Sequence, residues 1–194
     1  MKKIKNYLII DIGKSNIKFI FFRKKDGFIL KKNIFANNFI FKKKSYLELD
    51  HKRLFNLIKK NIKSGISNFD LKSILPITHG SVSFLLDKNY KVLRCISDEN
   101  NFNKRFNKKF EIKVNKLKNC YSPCLDFCHN LLKSLFYLKK NDKNIYNKKK
   151  FLLLYPNFIS YKLSNRLSTD LSYLSNHSFL WNFKKQKINS FANY

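Results

Sequence analysis

A polar turn between two apolar runs is the first pattern in the chain. Tyr7–Ile10 and Ile17–Phe22 are apolar and rich in β-branched and aromatic residues, which predicts two strands of a buried sheet. The residues between them, 11–16, read Asp-Ile-Gly-Lys-Ser-Asn. An Asp-Gly turn at 26–27 and the apolar residues within 28–35 predict a third antiparallel strand. The chain is therefore expected to begin with a three-stranded meander.

Helices and further strands alternate after this meander. An apolar stripe with helical spacing covers His51–Lys63, with Asp50 as the N-cap and Gly65 as the residue that ends the helix. A later helix is expected to begin with Ser122 as N-cap and Pro123 at its first position. Strands are predicted at 71–78, 90–96 and 151–154, a short helix at 156–163, and loops at 37–44, 100–118 and 141–150.

The polar turn has the chemistry of a phosphate site. Mg²⁺ in phosphoryl transfer is usually held by one or two carboxylates together with substrate phosphates, a role that suits Asp11 at the end of a strand. Gly13 lets the backbone approach an anion closely, and the hydroxyl, amide and N–H groups after it can donate to phosphate oxygens. The candidate phosphate and Mg²⁺ residues are Asp11, Gly13, Lys14, Ser15, Asn16 and Lys18. The alternative is an ordinary hairpin whose Asp and Asn serve only the turn.

His79 follows the strand predicted at 71–78. Open α/β sheets bind ligands beyond the carboxyl ends of their strands, so His79 is expected where a substrate would lie. A neutral imidazole can donate to or accept from a substrate hydroxyl. The alternative is a histidine that only completes a turn.

The motif Asp-Ile-Gly-Lys-Ser-Asn-Ile-Lys at 11–18 resembles the first phosphate motif of the FGGY family of carbohydrate kinases, in the actin-like ATPase superfamily. Thr-His-Gly at 78–80, the acidic pair at 98–99 and the segment 169–181 resemble the same family in the same order. The chain departs from the family at Asn165 and Ser175, which stand where the family has glycine. The resemblance implies an α/β fold of the actin-like ATPase (ribonuclease H-like) type, with one five-stranded mixed sheet and helices on both faces.

The resemblance also implies ATP-dependent transfer of a phosphoryl group to a sugar hydroxyl, with ATP and Mg²⁺ as cofactors. A carboxylate such as Glu99 can accept hydrogen bonds from adjacent hydroxyls, although it can equally be a solvated loop acid. His177 can equally be a core histidine. The residues that the resemblance places against the sugar are Thr78, His79, Gly80, Glu99, Asn130 and His177.

The length of 194 residues predicts a single domain, which the resemblance identifies as the N-terminal domain of such a kinase over residues 1–194. The resemblance implies that the catalytic base, the second phosphate loop and the adenosine pocket lie in a C-terminal domain. No catalytic residue is therefore expected within this truncated chain, and turnover is expected to need a separate C-terminal half. A non-catalytic sugar- or nucleotide-binding domain is the alternative.

The formal charge of +29 changes this picture little. A basic surface is typical of proteins that bind nucleic acid. The excess is nearly all lysine, however, and it accompanies 20 Phe and 10 Tyr with only 4 Gly and 3 Pro, a set that an A+T-rich coding sequence favours. We therefore expect a solvated basic surface and weak polyanion binding at low salt, with specific nucleic-acid binding as the weaker alternative.

Membrane and metal chemistry receive less support. No stretch approaches the roughly 18 uncharged apolar residues of a membrane helix, and the start of the chain lacks a signal-peptide core, so a cytoplasmic protein is expected. Cys120, Cys124 and Cys128 lie near His129, but their spacing does not match paired zinc ligands. A packing role as small apolar side chains is the favoured interpretation of these cysteines.

Overall fold

The computed structural model describes residues 5–117 and 119–189. The chain divides into two compact units, each described by itself below. Unit 1 comprises the residues up to Ile40 together with Asp50–His79, and unit 2 comprises Phe41–Leu49 together with the residues from Gly80 onward.

The strands within the described residues are β1 (Asn6–Ile12), β2 (Asn16–Arg23), β3 (Ile29–Ala36), β4 (Ile40–Lys43), β5 (Tyr46–Leu49), β6 (Leu71–Thr78), β7 (Ser83–Leu86), β8 (Val92–Ile96), β9 (Phe151–Leu154), β10 (Trp181–Asn182) and β11 (Lys187–Ile188). The helices are α1 (His51–Asn68), α2 (Lys104–Val114), α3 (Leu131–Asn141), α4 (Lys143–Lys148), α5 (Tyr155–Ser164) and α6 (Leu171–His177). None of these helices is long and apolar enough to cross a membrane.

The α/β class expected from the sequence is confirmed, but the prediction of a single five-stranded sheet is wrong. Unit 1 contains a four-stranded sheet in the order β3-β2-β1-β6, and a five-stranded sheet has the order β4-β5-β8-β7-β9. The difference begins at residues 37–44, where the expected loop instead contains β4. Because β4 pairs with β5 and not with the meander, it starts a second sheet.

The meander of unit 1 is confirmed, with β1, β2 and β3 antiparallel and β6 parallel to β1. Alternate residues of β1 and β2 are buried, as expected for strands with one face in a core. Helix α1 supplies the buried residues Leu54 and Ile58 and begins as expected, with the Asp50 carboxylate accepting from the Arg53 N–H at 3.0 Å.

The role predicted for Gly65 is wrong, because α1 continues past it to Asn68. A Cβ at this position would collide with the ring of Phe21 and lie 3.1 Å from Leu71. Gly65 therefore lets the helix backbone lie close to the sheet, and the helix ends at Phe69 instead.

Unit 2 contains two helices where loops were expected. Residues 100–118 contain α2, which buries Phe106, Phe110 and Val114 at four-residue spacing and is capped by the Asn103 side chain. Residues 141–150 contain α4, whose N-cap Asp142 accepts from the Ile145 N–H at 3.2 Å. In both segments lysines surround the few apolar positions and conceal the helical pattern.

The expected helix start at Ser122 and Pro123 is also wrong. Helix α3 begins at Leu131, and the described residues before it are irregular. The Ser122 hydroxyl accepts from the Phe179 N–H at 3.1 Å and donates to the Ser175 carbonyl, so it joins two distant segments of unit 2 instead of capping a helix.

Helix α5 lies where a helix was predicted, and Asn165 follows it in the left-handed conformation at φ 57°. Asparagine tolerates this conformation, which accounts for its presence in place of glycine.

Candidate functional site

The polar turn of unit 1 is a short hairpin between β1 and β2. The Gly13 N–H donates to the Asn16 carbonyl at 2.9 Å, which closes the turn. Lys14, Ser15 and Asn16 are exposed. A Cβ on Gly13 would lie 3.2 Å from the Asn16 carbonyl oxygen, so this position accepts a larger residue only with adjustment. The turn therefore presents its polar groups to solvent on a closed backbone.

Asn37 fixes this turn, although no local sequence pattern selects it. Its side-chain amide donates to the Gly13 carbonyl at 2.6 Å, and its backbone N–H donates to the Ser15 carbonyl at 2.9 Å. The pairing of β2 with β3 brings Asn37 to the turn, because Asn16 lies opposite Ala36. A contact that depends on strand register has no local sequence signal.

Asp11 and Lys18 form an ion pair within the same hairpin. They are cross-strand partners, and the Lys18 Nζ lies 2.9 Å from the Asp11 Oδ2. About a third of each side chain is exposed. An ion pair at this exposure contributes little to stability, so both groups can exchange partners when a charged ligand binds.

Thr78 and His79 lie at the same end of the unit 1 sheet as Asp11. β6 runs parallel to β1 with Ile77 opposite Asp11 and Thr78 opposite Ile12, and the His79 N–H donates to the Ile12 carbonyl at 3.1 Å. The carboxyl ends of two parallel neighbours therefore meet here, which is where open α/β sheets bind ligands.

Gly80 and His177 lie together in unit 2. A Cβ on Gly80 would lie 2.6 Å from the Tyr173 ring and 2.9 Å from the His177 Nε2, closer than a Cβ can approach. The His177 Nδ1 lies 3.3 Å from the Ser81 hydroxyl. Burial lowers the pKa of His177, while a backbone hydrogen bond to His129 and the charge of Asp98 oppose that shift. His177 is therefore expected to be neutral at pH 7, which leaves one ring nitrogen able to accept a hydrogen bond from a hydroxyl.

In the acidic pair 98–99, one side chain is exposed to solvent and the other is buried. Glu99, the residue selected from the sequence, is exposed, and its N–H donates to the Ser97 hydroxyl at 3.1 Å. Asp98 is only 1% exposed, and its Oδ2 lies 3.8 Å from the Nδ1 of His129. Asp98 is thus a candidate that sequence reasoning passed over, since two adjacent acids give no indication of which one faces inward.

Asn130 occupies the N-cap position of α3 without making a side-chain capping bond. It is 1% exposed, and its Oδ1 has no hydrogen-bond partner among the described residues. A buried amide oxygen in this state costs free energy unless something donates to it. Asn130 is therefore suited to accept a hydrogen bond from a ligand.

Lys133 holds the irregular segment before α3. Its side chain is 1% exposed and its Nζ donates to the carbonyls of Leu125, Asp126 and Phe127 at 2.7, 2.5 and 3.2 Å. Burial lowers its pKa. One buried ammonium thus orders the backbone that leads to His129 and Asn130.

The cysteines lie outside any helix. Cys128 is buried with its Sγ 3.1 Å from the Ser134 hydroxyl, and burial raises its pKa to about 12. Cys124 is exposed as a residue, and partial burial of its thiol raises its pKa. Within residues 5–117 and 119–189, no group of three or more His, Cys, Asp or Glu side chains is arranged to hold a metal ion.

Comparison with known proteins gives one family. The model of the FGGY family of carbohydrate kinases, N-terminal domain, matches residues 6–190. No curated protein sequence matches the chain.

Solved kinases share the fold at low sequence identity. A carbohydrate kinase from Novosphingobium aromaticivorans has a TM-score of 0.84 at 16% identity over 100% of this chain and 40% of its own. A ligand-bound xylulose kinase from Lactobacillus acidophilus has a TM-score of 0.81 at 15% identity over 96% and 39%, and a Plasmodium falciparum glycerol kinase with ADP has 0.71 at 15% over 96% and 40%. At these identities the likeness shows the fold alone, and the chain spans about two fifths of each of these proteins.

Proposed function

Since the chain belongs to the FGGY family of carbohydrate kinases, we propose that it supplies phosphate-binding and sugar-binding residues to an ATP-dependent kinase that phosphorylates a sugar hydroxyl. The observation that carries the proposal is the end of the unit 1 sheet, where a polar hairpin turn, the Asp11–Lys18 ion pair and Thr78–His79 occur together.

The turn is proposed to bind the phosphates of ATP. Lys14 and Ser15 are exposed donors on a backbone that Asn37 holds in place. When ATP binds, the Lys18 ammonium would leave the Asp11 carboxylate and contact a phosphate oxygen. The phosphates carry more negative charge than one carboxylate and are therefore the stronger partner. The turn thus exchanges an internal ion pair for contacts to the ligand.

Asp11 is proposed to hold Mg²⁺. Its carboxylate is partly exposed, and its ion-pair partner, Lys18, is a cation that a bound phosphate would attract. Mg²⁺ is commonly bound by one carboxylate, waters and substrate phosphates, so this donor set fits the ion. The ion would supply neutralisation of phosphate charge during transfer.

Sugar-contacting residues are proposed for each unit by itself. In unit 1 these are Thr78 and His79, and in unit 2 they are Gly80, Glu99, Asn130 and His177. We add Asp98, whose carboxylate has two acceptor oxygens and is buried beside His129. The neutral His177 and the Oδ1 of Asn130 provide further acceptors.

Turnover is proposed to need a second kinase domain. Because phosphoryl transfer depends on positioning and electrostatic stabilisation, a chain spanning two fifths of its structural relatives would give little transfer alone. A C-terminal half, in the same or a separate polypeptide, would provide the base that accepts the hydroxyl proton.

Calorimetric titration of the chain with ATP, in the presence and absence of Mg²⁺, tests the phosphate site. We expect Mg²⁺ to strengthen ATP binding to the native chain and Asp11→Asn to weaken the Mg²⁺-dependent binding about tenfold or more. Asp26→Asn is the matched control, because Asp26 is also an exposed acid in an ion pair of the same meander. Equal loss in both variants, or none in either, would contradict the proposal.

The sugar site needs a separate readout. Ligand-observed NMR with a panel of polyols and ketoses is expected to detect binding that Asn130→Ala weakens and that Asn61→Ala, a buried asparagine in unit 1, does not. Adding a C-terminal kinase half is expected to give ATP-dependent phosphorylation of the same sugar. Binding of none of the sugars, with or without the second half, would overturn the sugar-kinase assignment.

A further inference from the structure

A cavity of about 390 Å³ lies in unit 2 among α2, α3 and α4. Its floor is formed by Leu132, Leu135, Phe136 and Tyr146, each at most 9% exposed. Small-molecule sites commonly have volumes of about 300 to 1,000 Å³ and mainly apolar walls. The cavity is therefore large enough for a small ligand with an apolar body.

Four lysines form the rim, namely Lys113, Lys139, Lys140 and Lys143. The eight described residues that line the cavity include no carboxylate. The nearest acids along these helices have other partners, since Glu111 lies 3.4 Å from Lys108 and Asp142 lies 3.1 Å from Arg94. The positive charge around this apolar floor is thus not balanced from within the lining.

Three of the four ammonium groups lie against aromatic rings of the floor. The Nζ atoms of Lys113 and Lys140 lie 5.2 and 4.8 Å from the centroid of Phe136, and that of Lys139 lies 5.7 Å from the centroid of Tyr146. Like charges that share one ring repel each other, and an anion between them would relieve the repulsion. The lowered pKa of Lys140, caused by burial and then by Lys109, Lys113 and Arg105, agrees with this crowding.

We propose that this lysine-rimmed cavity binds a small amphiphilic anion, with a carboxylate, sulfate or phosphate head against the lysines and a single hydrocarbon chain on the apolar floor. Neither half of the ligand suffices alone. The head needs the ammonium groups of the rim, and the chain needs the buried leucine and aromatic surface. The cavity shares no residue with the proposed phosphate and sugar sites, so the proposal stands independently of the kinase function.

Titration calorimetry with decanoate, below the concentration at which it forms micelles, tests the proposal. We expect one decanoate bound per chain. Acetate has the head without the chain, decanol has the chain without the charge, and decyltrimethylammonium has the opposite charge, so each of the three is expected to bind at least about tenfold more weakly. Equal binding of decanol or of the cationic analogue would overturn the proposal, as would the absence of decanoate binding.

Lysine variants distinguish binding in this cavity from nonspecific attraction to the positively charged chain. Lys139→Gln with Lys140→Gln is expected to weaken decanoate binding about tenfold. Lys31→Gln with Lys32→Gln removes the same charge from two exposed positions of β3 and is expected to leave the affinity unchanged. Circular dichroism melting of both double variants establishes that they are folded. An equal effect of the two double variants would reduce the binding to nonspecific attraction and contradict the proposal.

Discussion

The two candidate sites are built in opposite ways. The turn of unit 1 uses residues that are contiguous in sequence, exposed, and held mainly by backbone hydrogen bonds. The polar cluster of unit 2, which comprises Gly80, Asp98, Asn130, Lys133 and His177, draws its residues from separate segments, and three of them, Asp98, Asn130 and Lys133, are each 1% exposed. A contiguous exposed site is easy to recognise in a sequence, and substitutions there cost little folding free energy. A dispersed buried site is hard to recognise, and substitutions there cost more. Substitutions in the cluster should therefore cost more folding free energy than substitutions in the turn.

Lys133→Met is expected to have the largest effect. The substitution keeps the aliphatic stem but removes an ammonium that donates to three backbone carbonyls. Leaving these buried acceptors without their donor should lower the free energy of unfolding by about 3 kcal/mol. Urea unfolding followed by circular dichroism measures the change, with Lys116→Met at an exposed position as the matched control. Similar losses in the two variants would show that the lysine does not order the segment.

Gly80→Ala compares the cluster with the turn through a single methyl group. The new Cβ would overlap the rings of Tyr173 and His177, and forcing extra volume into such a site costs about 2 kcal/mol. Gly13→Ala in the turn meets one carbonyl oxygen at 3.2 Å and should cost less. Urea midpoints of the two variants give the comparison. If Gly13→Ala is the more damaging, the cluster is less tightly packed than the distances indicate.

Asn37→Ala is expected to cost about 1 kcal/mol, since it removes one side-chain hydrogen bond to the Gly13 carbonyl in a partly exposed turn. Its effect on ATP binding should exceed that of Asn33→Ala, which breaks the amide contact to Asn61 instead. Calorimetry with Mg²⁺ and ATP measures both affinities. Equal affinities would mean that the turn keeps its shape without Asn37.

The same contrast explains how far the sequence could be interpreted. The meander, the start of α1 and the turn depend on local patterns, and the structure contains these strands, this helix start and this turn where they were expected. Asn37 and the choice between Asp98 and Glu99 depend on strand register and burial, which no local pattern encodes. Helix α2 was missed for a different reason: its apolar positions, Phe106, Phe110 and Val114, are separated by runs of lysine and asparagine.

The smallest expected effect is a pH dependence that arises from His177. Burial lowers its pKa in the folded state, so the unfolded chain, with an ordinary histidine pKa of about 6.5, binds the proton first as the pH falls. The stability contribution is complete above about pH 6.5, declines as the pH falls toward the lowered pKa of the folded state, and changes no further below that value. His177→Gln should flatten this part of the curve of urea midpoint against pH, and His51→Gln in unit 1 is the control. A curve that keeps its slope in His177→Gln would assign the proton uptake to another group, and His177 would then contribute only packing to the cluster.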